Sequence, residues 1–313
     1  MFIIFIILII LYFIWYLRIS HVTEEKLIIL KNDLNQNNII LTWENSEKFG
    51  FPYRLVNKLN SVKIKLYNTE VFIENLDIIY QPWNIKHVIL KSSEIINILN
   101  QNNKIIIHPD IIASIRINKL NEKILAINLN EISILDNQYT HKINKPEIYF
   151  RDNNKNNLLY SIKIKELLYQ PFFIENNVIT NTDINGSLAN YKNININNYY
   201  TWLSNEGGID IDNFKFNINK TFINGNAFIG IDENKDIQSS ISLEANNLYE
   251  LFLIFRNKNF INENTLETSK FIIKAIEIAS KASNKIPKFS INIQNGNLSL
   301  MGVKLLNVKN LKY

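Results

Sequence analysis

An unbroken apolar run, MFIIFIILIILYFIWYL, opens the chain and stops at Arg18. As a helix rising about 1.5 Å per residue it would extend about 25 Å, slightly less than a hydrocarbon core of about 30 Å but still able to cross it. Tyr12, Trp15 and Tyr16 cluster at its C-terminal end, where amphipathic rings favour the membrane interface, and Arg18 can carry its charge into the headgroups. No basic segment precedes the run and nothing like A-x-A follows in RISHVTEE, so the reading is an uncleaved transmembrane anchor over residues 1–18. Arg18 and Lys26 both follow the span and pull the body toward the cytoplasm, although long domains translocate largely regardless of charge.

Beyond the anchor, Thr23 to Asn35 reads as a short separate helix capped by Thr23, with Glu24 and Glu25 in its first turn. The period then changes to two. Val62, Ile64 and Leu66 alternate with Lys63 and Lys65, and Ile115 and Ile117 flank Arg116, the pattern of half-buried strands between Ile39 and Leu135. It recurs in Ile209 to Ile218, Phe222 to Ile231 and Ile237 to Leu243. Asn185-Gly186, Gly207-Gly208, Asn224-Gly225 and Asn295-Gly296 read as turns between strands and predict antiparallel connections. Two helices interrupt this rhythm: Leu248 to Phe255, and Thr265 to Ala282, the latter opening on an Asn264-x-x-Glu267 capping box. Strands return at Phe289 to Ile293, Leu298 to Leu300 and Val303 to Leu306. The expected fold is mainly β (α+β): a long curved antiparallel sheet with a few packed helices. Residues 19–313 form one β-rich body, or two lobes meeting near 151–157.

Composition narrows the chemistry. The 313 residues include no cysteine, which removes disulfides, thiolate metal sites and a cysteine nucleophile. Roughly a third of the chain is Ile plus Asn, far above ordinary usage, and an AT-rich coding sequence accounts for that bias. The net charge of +5 is too dispersed for a nucleic-acid surface. His21, His87, His108 and His141 are scattered, with no H-E-x-x-H pair, and there is no G-x-S-x-G elbow, no G-x-G-x-x-G and no Walker loop. Asp232 to Asp236 imitates the start of a calcium loop, but Ile237 stands where the loop needs Gly and Leu243 where it needs Glu. The sequence therefore nominates no catalytic residue, no metal and no cofactor.

Two local segments stand out against the Ile and Asn background. Gly50-Phe51-Pro52-Tyr53-Arg54-Leu55 follows one expected strand and Gln81-Pro82-Trp83-Asn84 follows another. Pro52 would start a strand or lie on its edge, and Arg54 reads either as a headgroup contact or as a structural corner pairing with a carboxylate. Phe51, Arg54 and Trp83 are the candidate binding residues; Gly50, Pro52, Pro82, Trp202, Gly207 and Gly208 are structural landmarks.

These landmarks in this order resemble the alphaproteobacterial family catalogued as domain of unknown function 2125. The G-[FY]-P-[FY]-R-[LI] segment is Gly50 to Leu55, and the W-N-P-x-H-like segment is Trp83 to His87, with Ile85 in place of the proline. Trp202 with Gly207-Gly208, the leucine-rich Leu248 to Phe255 and the closing strands Ile291 to Leu305 continue the resemblance. Its layout is similar to envelope proteins of the AsmA type: one inner-membrane helix and a periplasmic sheet whose apolar concave face shelters acyl chains. The resemblance implies an inner-membrane envelope protein with its body in the periplasm, engaged in lipid binding, lipid transfer or envelope assembly. Its partners would be the membrane, phospholipid or another lipid, and other envelope proteins. The alternative is a structural or protein-interaction module of the envelope without a ligand, joined to its partner by strand addition. A hydrolase of envelope polymers would need two facing carboxylates, which no spacing nominates.

Overall fold

The computed structural model describes residues 2–100, 103–136, 139–153, 155–168, 178–194, 199–231, 236–257 and 261–307. The chain is mainly β, 53% strand and 26% helix, a long antiparallel sheet preceded by an apolar N-terminal helix. It divides into two compact units, Met1–Asn144 and Lys145–Tyr313.

The first unit begins with α1 (Phe2–Gln36). Its strands are β1 (Ile39–Thr42), β2 (Asn45–Phe49), β3 (Leu55–Leu66), β4 (Thr69–Gln81), β5 (Asn84–Ser92), β6 (Ile96–Leu99), β7 (Lys104–Ile107), β8 (Ile111–Ile117), β9 (Lys123–Asn128), β10 (Glu131–Leu135) and β11 (Thr140–Asn144). The separate helix expected at Thr23 is instead the continuation of α1. Thr23 caps nothing, because in a continuous helix the N–H groups it would have satisfied already have partners one turn back. Its hydroxyl donates to the Ser20 carbonyl at 2.9 Å, and the residue is buried.

The hairpin β3–β4 is the spine of this unit, registered from Leu55 opposite Tyr80 to Leu66 opposite Thr69. Leu55, Val56 and Asn57 are all buried at the start of β3; beyond them burial continues on an odd position at Leu59 and then on an even one at Val62. The switch occurs at Ser61, whose φ of 53° breaks the pleat, and β4 makes the matching switch between Ile78 and Ile73. The sheet then forks at β4: its residues 70–73 pair with β6 while residues 77–81 pair with β5. One branch continues through β8 and β9, the other through β7, β10 and β11. Leu55, Leu59, Val62, Ile73, Ile78, Tyr80, Ile96 and Ile111 form the core, and Tyr16, Ile19 and Leu27 of α1 pack into it. Ile115 and Ile117 do not follow the half-buried pattern; both are exposed with Arg116, on the strand β8 that leads to an open turn.

The second unit is a meander. β12 (Glu147–Asp152), β13 (Leu158–Leu168), β14 (Ile179–Ala189), β15 (Gly208–Ile218), β16 (Thr221–Ile231), β17 (Ile237–Ala245), β18 (Lys288–Gln294), β19 (Asn297–Leu300) and β20 (Val303–Asn307) each pair antiparallel with the next. A short α2 (Tyr199–Ser204) lies between β14 and β15. The helices α3 (Leu248–Asn257) and α4 (Glu263–Ala282) fall where the sequence placed them, between β17 and β18. Leu248, Phe252, Leu266 and Ile273 from these helices bury against Ile223, Leu243, Phe289 and Leu300. Two details differ from the sequence reading. Asn262, not Asn264, caps α4, its Oδ1 accepting from Thr265 N at 2.8 Å, while Glu267 pairs with Lys270 at 3.0 Å. Asn185-Gly186 and Asn224-Gly225 are mid-strand, not turns. A Cβ at Gly186 would lie 1.9 Å from the Asp210 carbonyl oxygen and one at Gly225 2.2 Å from that of Ser242, so close approach of a neighbouring strand selects glycine at both. Asn295-Gly296 is a hairpin turn with both residues at positive φ, as expected.

Candidate functional site

The segment Gly50 to Leu55 is built against α1. Gly50 has φ near 106°, and a Cβ there would lie 2.6 Å from the Arg54 carbonyl oxygen, so only glycine lets the loop close through Arg54 N donating to Gly50 O at 3.1 Å. Closure turns the Phe51 ring onto three aromatic rings of α1: Tyr12, Phe13 and Tyr16, at centroid distances of 6.1, 5.5 and 5.0 Å, the last two edge-on. The Phe51–Pro52 peptide is cis. Tyr12 Oη donates to the Pro52 carbonyl at 2.5 Å and Tyr16 Oη to the Arg54 carbonyl at 3.2 Å. Pro52 therefore lies in the turn before β3 rather than in the strand, and Arg54 is exposed beside it.

The seam continues up the helix at spacings of three and four residues. Thr23 meets Asn57 at 3.4 Å, Glu24 pairs with Lys48 at 2.5 Å, and Lys31 lies 4.5 Å over the Trp43 ring. The Lys48 ammonium, hydrogen-bonded to Glu24, holds that carboxyl below its ordinary range. Of the aromatics at the end of the apolar run, Tyr12 and Tyr16 are thus committed to the sheet, while Trp15 remains exposed. The sequence signal for this seam was present in Tyr12, Tyr16, Thr23 and Leu27, but read as two segments it could not be seen as one stripe.

Trp83 makes no part of that aromatic cluster. It sits in the β4–β5 turn, at the same end of the sheet as Gly50 to Arg54, with its ring exposed and Pro82 buried beneath it. In the second unit, Trp202 and Gly207 do meet. The indole Nε1 donates to the Ala189 carbonyl at 2.8 Å, Gly207 N donates to the Trp202 carbonyl at 3.0 Å, and a Cβ on Gly207 would lie 2.6 Å from Nε1. Gly208 then opens β15 against Phe228. These three landmarks fasten α2 to the strand that follows it.

An apolar trough of about 330 Å³ opens on the other end of the first unit, lined by Ile40, Ile64, Val71, Phe72 and Leu99 with Lys63, Lys65 and Glu70. Ile40 opposite Lys65, Lys63 opposite Phe72 and Glu70 opposite Leu99 bring one face of four strands together. Ile40, Phe72 and Leu99 are exposed there, and Lys65 is paired with Glu70 at 3.0 Å. Sequence alternation assigns Lys63 and Lys65 to a solvated strand face; it does not reveal the apolar residues that cross-strand register sets beside them.

The histidines have local partners. His21 lies 3.2 Å from Glu25, His87 Nε2 2.9 Å from Ser114 Oγ, and His141 3.2 Å from Asp136. Ser133, His108 and Glu131 come together, Ser133 Oγ and Glu131 Oε1 lying 3.1 and 3.3 Å from the same ring nitrogen, Nε2. A relay needs its acid on the opposite nitrogen from the serine, so this cluster is a hydrogen-bonded corner and not a nucleophilic triad. Among the described residues no group of three His, Asp or Glu side chains could hold a metal; residues 232–235 of the calcium-like segment lie outside the described residues.

No protein-family model, curated protein or solved structure matches the chain significantly. Its α1 is long and apolar enough to cross a membrane.

Proposed function

We propose that the protein is a single-pass inner-membrane protein of the cell envelope whose periplasmic β body binds a lipid acyl chain. The observation that carries this reading is the apolar trough lined by Ile40, Phe72 and Leu99 in the unit to which the apolar helix is fastened. Pockets of about 300 Å³ and more, apolar with a few polar groups at the rim, are the usual form of small-molecule sites. An extended chain buried there gains about 0.8 kcal/mol per methylene, and Lys63 at the rim suits an anionic headgroup. The inner-membrane and periplasmic assignment rests on the resemblance to the domain of unknown function 2125 family and its AsmA-type layout.

The test is photocrosslinking of the full chain in nanodiscs that contain a diazirine-bearing phosphatidylglycerol, with cross-linked peptides mapped by mass spectrometry. Adducts are expected on β1, β3, β4 and β6 in addition to α1, and Phe72→Glu with Leu99→Glu should remove the former and spare the latter. Adducts on α1 without any at the trough would overturn lipid binding and leave the envelope scaffold or interaction module in its place.

A further inference from the structure

The end of the first unit's sheet that meets α1 is placed lower on the helix than a body standing clear of a bilayer would allow. Phe51 and Pro52 touch α1 at Tyr12 to Tyr16, yet the apolar run continues to Leu17. From Phe2 to Tyr12 the helix rises about 15 Å, and from Phe2 to Leu17 about 23 Å. A hydrocarbon core of about 30 Å needs the whole run and more. If α1 crosses, the Gly50 to Arg54 loop is at or below the hydrocarbon boundary on the side of the body.

The rest of that sheet end has the chemistry such a position demands. β3 and β4 are antiparallel with Leu55 opposite Tyr80, so the β4–β5 turn carrying Trp83 lies at the same end as the loop. β5 pairs with β8 with His87 opposite Arg116, which brings the β8–β9 turn carrying Leu120 to that end as well. Successive tips thus present Tyr53, Trp83 and Leu120, which are 78%, 63% and 70% exposed, together with exposed Phe49 and Phe51. In water this is a row of unsheltered aromatic and apolar side chains across three neighbouring connections. Arg54 and Lys119, both exposed, adjoin Tyr53 and Leu120 in the chain, and Arg18, exposed as well, directly follows the apolar run of α1. Rings with a polar handle and long basic side chains beside apolar tips are the composition of the membrane interface, where apolar groups sink about 5–10 Å into the headgroup–acyl boundary.

We propose that these tips form a second membrane contact, in which Tyr53, Trp83 and Leu120 insert into the bilayer that holds α1 while Arg18, Arg54 and Lys119 meet its phosphates. The occupant is the phospholipid surface itself, because the patch is continuous with the helix through Phe51. The inference rests on α1 crossing a membrane and is independent of the trough.

The absence of native cysteine makes a direct test possible. Single cysteines at Tyr53, Trp83 and Leu120 replace exposed side chains; Ile10→Cys reports on the anchor, and Tyr67→Cys, exposed in the β3–β4 turn, reports on the far end of the same strands. Each full-length variant is spin-labelled, reconstituted in phosphatidylcholine–phosphatidylglycerol vesicles, and its nitroxide accessibility to oxygen and to a water-soluble nickel chelate compared. The expected result is preferential oxygen access at 10, 53, 83 and 120 and chelate access at 67; if one of the three tip variants fails to fold, the other two still decide. Chelate access at 53, 83 and 120 with oxygen access retained at 10 would overturn the inference and leave the anchor intact. Chelate access at 10 as well would overturn both.

Discussion

The fold raises the pH at which Tyr191 ionises. Burial, then a hydrogen bond to Asp152 and the charge of that carboxylate, push its phenol from the ordinary 10 up to about 12. Asp152 is itself buried, and the pair sits near the Trp202 corner, with Tyr191 N donating to the Asn156 carbonyl at 3.2 Å. Because the folded pKa is raised, the folded chain holds this proton more tightly than the unfolded one. The linked stability is fully present below about pH 10 and is lost as pH rises toward about 12. Tyr80 and Tyr160 are raised by burial as well, so Tyr191→Phe should shrink the alkaline slope rather than abolish it. Melting curves between pH 8 and 12 measure this, and an unchanged slope would contradict it. At this scale the sequence was legible in part. Scarce residues such as Gly50, Trp202 and Gly207 stand out against the Asn and Ile background, and each proves to hold a close contact. The partners of Phe51 were not legible, since Tyr12, Phe13 and Tyr16 lie 35 or more positions away and no local pattern links them.

Among the elements, the seam between α1 and β3 is held by an incomplete polar contact. Asn57 Nδ2 reaches Thr23 Oγ1 at 3.4 Å, while Asn57 Oδ1 is buried without a hydrogen bond. A hollow of about 170 Å³ lies beside it, lined by Leu27, Trp43 and Leu59 among others. Thr23→Val removes the amide's partner and should cost about 1–3 kcal/mol, the penalty of an unsatisfied buried group. Adding Asn57→Leu should recover most of that loss, because two apolar side chains of similar shape need no partner and the leucine can fill the hollow. Thermal unfolding of the detergent-solubilised single and double variants tests this non-additivity; simple addition of two losses would refute it. The helices themselves were largely legible because α3 and α4 carry an amphipathic period. Their caps and joins were not. Asn262 and Asn264 are chemically equivalent candidates, and only the chain's path decides which begins the helix. Nor does Thr23 differ locally from a capping threonine; what cancels that role is the unbroken backbone before it.

Across the molecule, period-two alternation marked strands such as β3, β8 and β15 to β17 but left β11 to β14 unnamed, and it could not say which face the strands bury. In β3 burial moves from Leu59 to Val62 across Ser61, after a start at 55–57 that is buried on both faces, and in β8 Ile115 and Ile117 stay exposed although they alternate with Arg116. Burial there depends on which strand register sets alongside, information that is distributed over β1, β3, β4 and β6 rather than held in any one of them. The trough was invisible to sequence reading for that reason. Topology belongs to this scale too. Arg18 and Lys26 favour a cytoplasmic body by charge alone, whereas the envelope reading requires the opposite. A C-terminal fusion to alkaline phosphatase should be active and the matching fluorescent-protein fusion dark when the chain is expressed in a Gram-negative cell; the reverse pattern would discard the periplasmic assignment.

The unbroken course of α1 has a mechanical consequence. The residues that lie along the apolar run and those that pack on β3 belong to one rod of 35 residues, with Tyr12, Tyr16 and Thr23 fixed to the sheet along its length. A spanning helix adjusts its tilt to the thickness of the surrounding bilayer. If α1 spans a bilayer, that tilt has no hinge to absorb it, so each degree through which the rod leans is passed to the sheet of the first unit, and bilayer thickness becomes a setting of the angle at which that sheet stands on the membrane.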